Sequence, residues 1–178
     1  MLAIASTGIW RMTATYNVNH YLQERQDVTN LVNELIGQVE LNGNQVQALG
    51  RLTYGADLKF FGDQLQQTQA RIDDIYTELH EKIALPEARS ILESSQEHRK
   101  EYLQQREAGM KLVDAGDRTG AARFFRDDMP RLLDAYIAEL RRLAQLQETG
   151  VASLIDESNA GIQLGQGMII ALGLIAVL

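Results

Sequence analysis

Arg99 and Arg106 stand two helical turns apart in a stretch otherwise dominated by apolar or small residues. The stretch reads Leu85, Ala88, Leu92, Ser95, Arg99, Tyr102, Arg106, Gly109, Val113, in alternating steps of three and four. That is the spacing of a helix seam facing a bundle interior. A guanidinium keeps its charge at neutral pH and needs an anionic partner when it is buried. Two of them with Tyr102 between have the chemistry of a carboxylate clamp, each arginine gripping one carboxylate in a bidentate fork.

Four helices must position this group. Gly50 and Gly55 bracket one break, Leu85-Pro86-Glu87 marks a second, and Asp114-Ala-Gly-Asp-Arg-Thr-Gly120 a third. Proline in a first turn followed by an acid is a helix start. The punctuation predicts helix 1 to about Leu52, helix 2 from about Asp57 to Ile83, helix 3 from Pro86 to Val113, and helix 4 from about Thr119. Pro130 either kinks helix 4 or marks its start after Asp127-Asp128. The fold class is all-α, an antiparallel up-down-up-down four-helix bundle with long first and fourth helices.

Seams on the other helices bring more polar groups to the same depth. Helix 1 gives Val28, Val32, Leu35, Val39, Asn42, Val46, Leu49, and helix 2 gives Leu58, Phe61, Leu65, Thr68, Ile72, Ile75, Leu79. Helix 4 gives Met129, Leu133, Tyr136, Leu140, Leu143. Asn42 and Thr68 each fall ~20 Å from the Gly55 break, Tyr102 ~21 Å from Gly116, and Tyr136 ~24 Å from Gly120. The plain structural account of Asn42 or Thr68 alone is a polar layer that sets helix register, and of Tyr136 a satisfied buried phenol. The arginines ask for more. Glu139 is the best-directed acid, and one acid does not neutralise two arginines. The candidate site is therefore a pocket inside the bundle built from Arg99, Arg106, Tyr102, Tyr136, Thr68 and Asn42. Its ligand would be a small di- or tricarboxylate.

Composition narrows the classes. The chain has 178 residues, a net charge of −7, two prolines and no cysteine. That length is one domain. The acidic balance, with no basic strip, argues against nucleic acid as a partner. Without cysteine there are no disulfides and no thiolate sites. His20, His80 and His98 lack carboxylate partners at metal-ligand spacing, and no nucleophile–base pair or phosphate loop is visible, so the expectation is no enzyme, no metal and no cofactor.

The ends carry apolar runs. Residues 1–10 are uncharged, ending in Trp10-Arg11, and are expected to be the remnant of a first transmembrane helix. Residues 167–178 are almost wholly apolar and shorter than the roughly 20 residues of a span. They are expected to start a second, truncated transmembrane helix. Residues 11–166 are then the sensor bundle.

This layout resembles the periplasmic four-helix-bundle ligand-binding domain of bacterial methyl-accepting chemotaxis receptors. The resemblance rests on the flanking apolar segments, the Leu85-Pro-Glu-Ala-Arg turn, and the Val113-Asp-Ala-Gly-Asp-Arg-Thr-Gly-Ala-Ala-Arg-Phe element. It implies a homodimer in the inner (cytoplasmic) membrane, with the bundle in the periplasm and signalling through helix 4. The aspartate-sensing members carry a basic group on helix 1, which here has only Arg11, Arg25 and Arg51. The pattern is more similar to members that sense organic acids such as malate and citrate. Aromatic acids, docking of a periplasmic binding protein, and a histidine-kinase or cyclase output stay open as alternatives.

Overall fold

A computed structural model describes residues 2–49 and 55–150, with side chains at 20, 22–48 and 60–150. Helix α1 spans Leu2–Leu49, α2 spans Gly55–Lys82, and α3 spans Pro86–Asp114. A fourth rod follows as α4, Arg118–Arg123, a π-helical turn, Phe124–Asp128, and α5, residues 129–150. The chain is an all-α four-helix bundle. No helix among the described residues is long and apolar enough to cross a membrane. The apolar segment 167–178 lies outside the described residues, as do the side chains of 1–10.

The chain divides into two compact units, Val28–Leu146 and a second formed by Met1–Asp27 with Gln147–Leu178. The first contains all the candidate site residues. Its lower core is built from the expected stripes. Val28, Val32, Leu35 and Val39 of α1 meet Ile72, Ile75 and Leu79 of α2, Ala88, Ile91 and Leu92 of α3, and Tyr136, Leu140 and Leu143 of α5. A second cluster, nearer the tip, gathers Val46, Tyr102, Ala121, Phe125 and Met129.

The breaks have local causes. Leu85 is extended at φ −68 and ψ 125, as a residue before proline must be, and Pro86 opens α3. At the other end Gly116 takes φ +76, a left-handed conformation that glycine adopts without a Cβ penalty. The Asp117 N–H then reaches the Leu112 carbonyl, and the Gly116 N–H the Val113 carbonyl, each at 3.0 Å. This is a Schellman stop. Asp117 also caps α4 by accepting from the Gly120 N–H at 2.9 Å.

Pro130 does not start the fourth rod, which is already helical from Arg118. Proline has no N–H to donate and its ring crowds the carbonyl four residues back. The chain widens just before it, and the Met129 N–H bonds to the Phe124 carbonyl five residues earlier. The π turn directs Phe124 and Phe125 toward α3, where Gly109 makes room. A Cβ on Gly109 would lie 2.6 Å from Phe125 Cζ and 2.8 Å from Phe124 Cδ1. By contrast a Cβ on Gly62 meets nothing within 4 Å.

These two helical glycines should respond oppositely to alanine. Gly109→Ala is expected to destabilise by about 1–3 kcal/mol through overpacking. Gly62→Ala should stabilise by roughly 0.5–1 kcal/mol through helix propensity. Urea unfolding of the two variants beside the parent checks both signs.

Candidate functional site

The seam of α3 is two rows. Ala88, Ser95, Tyr102 and Gly109, seven residues apart, are all buried. Leu92, Arg99, Arg106 and Val113 form the second row, in which Leu92 is buried and the other three are half-buried. The first row faces the bundle centre. The second turns toward α2, which lets two arginines sit in a helical seam without entering the core.

At the centre the expected polar layer is real and closes on itself. Asn42 Nδ2 donates to Thr68 Oγ1 at 3.1 Å, and Thr68 Oγ1 donates to Gln45 Oε1 at 2.9 Å. The Tyr102 hydroxyl donates to Asn42 Oδ1 at 3.2 Å. A second group lies beside it. The Tyr76 hydroxyl donates to the Tyr136 hydroxyl at 3.1 Å and lies 2.9 Å from Ser95 Oγ, which itself donates to the Leu92 carbonyl at 2.7 Å. The rings of Tyr102 and Tyr136 stand 6.4 Å apart and join the two groups. Burial pushes the phenols of Tyr76, Tyr102 and Tyr136 above their ordinary range, so all three are neutral at physiological pH.

The arginines are elsewhere. With Asp73, Gln96, Lys100 and Leu103 they line a groove of about 850 Å³ between α2 and α3, continued by Leu65, Met110 and Val113. Asn42, Thr68, Tyr102 and Tyr136 do not line it. The structure therefore divides the six candidate residues into two arginines on a groove and four neutral groups inside the bundle.

The two arginines differ in their partners. Arg99 pairs with Asp73 of α2 and lies over the Tyr76 ring, its Cζ 5.0 Å from the ring centroid. Glu139, the acid that the seams favoured, instead faces Arg142 at 3.8 Å. Arg106 reaches only the side-chain carbonyl of Gln69, at 3.4 Å. Among the described residues it has no carboxylate partner. Burial lowers its affinity for a proton; the nearby Tyr102 opposes that shift and Arg99 adds to it. A half-buried cation held by one long, neutral contact retains the capacity for a charge-assisted hydrogen bond.

Residues 59–161, more than half of the chain, match the family described as a four helix bundle sensory module for signal transduction. The chain belongs to that family. No curated relative matches it. The family is a signal-transduction sensory module and not a catalytic domain.

Three residues of this sensory module's polar network and groove escaped the seam reading. Tyr76 follows Ile72 by four and precedes Leu79 by three, so it fits the α2 stripe as well as Ile75 does. Gln45 follows Asn42 by three on α1. Asp73 lies just off the α2 stripe, on the flank toward α3, and nothing in the sequence singles it out among the exposed acids. Thr68→Val would keep the shape but leave Asn42 Nδ2 and Gln45 Oε1 short of a partner. A loss of about 1–3 kcal/mol is expected, measurable by chemical denaturation.

Proposed function

We propose that the chain is the extracytoplasmic sensor domain of a transmembrane chemoreceptor and that it detects a small organic acid in the α2–α3 groove. The observation that carries this reading is Arg106, a half-buried guanidinium with no carboxylate partner among the described residues. A ligand carboxylate would supply the missing charge through charge-assisted hydrogen bonds. The net charge of −7 repels anions at long range, so the attraction has to be local and partly desolvated. A second carboxylate, as in malate or citrate, would have to take the place of Asp73 on Arg99.

The groove is connected to both terminal helices. Arg99 lies over Tyr76, whose hydroxyl bonds to Tyr136 of α5. Arg106 lies one turn along α3 from Tyr102, whose hydroxyl bonds to Asn42 of α1. A ligand that exchanges with Asp73 or draws Arg106 outward would disturb these tyrosines. It signals only insofar as it binds one arrangement of α1 and α5 more tightly than the other. On this reading the bundle lies in the periplasm as a homodimer, tethered to the inner membrane through residues 1–10 and 167–178. A small shift of α5 would carry the signal as a piston or rotation.

A thermal-shift screen of the chain with malate, citrate, succinate and benzoate tests the reading. At least one acid should raise the melting temperature, and Arg106→Ala should abolish that shift without unfolding the bundle. Loss of about tenfold or more in affinity is expected for removing a charge-assisted contact. If the decisive ligand has two carboxylates, Arg99→Ala weakens it as well. Silence across the panel would favour a bundle that docks another protein.

A further inference from the structure

The groove has a polarity along its length that restricts what the acid can be. At one end Arg99 is neutralised by Asp73, and Lys100 faces Glu97 at 3.8 Å. Arg106, near the middle, is the groove cation without a carboxylate partner among the described residues. Beyond it toward the tip the walls change character. Leu65 of α2 and Met110 and Val113 of α3 are half-buried apolar residues packed on the upper core cluster. Gly62 contributes no side chain there and leaves open space. Glu107, paired with Lys111 at 3.0 Å, and Asp114 border the same end.

Resting on the carboxylate reading above, we infer that the groove takes an amphipathic monocarboxylate. Its head would sit on Arg106 and its apolar tail would run toward the tip along Leu65, Met110 and Val113. A second carboxylate on the tail would meet apolar walls and then the like charge of Asp114. A second carboxylate at the other end would meet Asp73 already in place on Arg99. The tail removes from water the apolar surface that these side chains leave exposed. Arg106 and Val113 are seven residues apart, ~10 Å along α3, room for a medium-length alkyl chain or a ring with a short arm. The groove, about 850 Å³ and open to solvent along one side, leaves room beside Arg106 for more than a four-carbon acid.

The full chain is titrated by calorimetry with butyrate, hexanoate and octanoate below their micelle concentrations, and with succinate, malate and citrate. Affinity is expected to rise about two- to fourfold for each added methylene. Arg106→Gln should weaken every alkyl acid by about tenfold or more. Gly62→Leu, which fills the tip end, should weaken octanoate more than butyrate. Thermal unfolding of each ligand-free variant separates these effects from misfolding. If succinate, malate or citrate binds through Arg106 and the alkyl series shows no gain with length, the tail is overturned and the carboxylate reading stands. If no acid binds, or binding ignores Arg106, the carboxylate reading itself falls.

Discussion

A polar layer can cross the core of this bundle because its hydrogen bonds close within it. Thr68 Oγ1 is the hub, accepting from Asn42 and donating to Gln45, while Tyr102 donates to Asn42. None of these side-chain atoms is fully buried without a partner. An unpaired buried amide or hydroxyl costs far more than the net gain of one hydrogen bond, so such a layer has to be complete or absent. Completion fixes the relative height of α1, α2 and α3, because Asn42, Thr68 and Tyr102 must stay within bonding distance. The hydroxyls of Tyr76, Tyr136 and Ser95 add α5 to the same register.

The closed layer also decides where charge can go. With its hydrogen bonds used internally, the centre offers nothing to a guanidinium, and the arginines lie in the row of α3 that faces α2. Asp73 meets one of them there. The other finds an amide. That asymmetry is what makes the groove a candidate site and not merely a solvated seam, since both arginines occupy equivalent places in the heptad pattern. Tyr76 then stands between groove and core, with Arg99 over its ring on one side and Tyr136 of α5 on the other.

The tip has a different logic. The Schellman turn at Gly116 and the Asp117 cap reverse the chain tightly, and the π turn before Pro130 re-aims two aromatic rings onto Gly109. Phe125 and Met129 thereby close the upper core above the polar layer, and Leu65, Met110 and Val113 are left half-covered along the groove. The apolar end of the groove is thus a by-product of how the fourth rod is packed.

Helix number, order and most of the core were legible from residue spacing. Apolar residues three and four apart can be buried only on a helix face, and Leu85-Pro86 and Gly116 can be read as breaks from their backbone chemistry alone. The polar layer was legible too, because helical rise converts residue counts into depth. Spacing does not say to which side of a seam a long side chain turns, nor which neighbour reaches it. Arg99 and Arg106 are indistinguishable in the sequence. Only the packing of α2 against α3 brings Asp73 to one and Gln69 to the other, since those partners lie 26 and 37 residues away along the chain. The π turn escaped the sequence reading for a related reason, since Pro130 demands some relief of the helix but the demand can be met in several ways. The sequence by itself determined a four-helix bundle with a polar layer, and it put both arginines into that layer, where the structure has them on the groove instead. The tertiary structure decided that the layer's hydrogen bonds close within the bundle and that one arginine meets an aspartate while the other meets an amide.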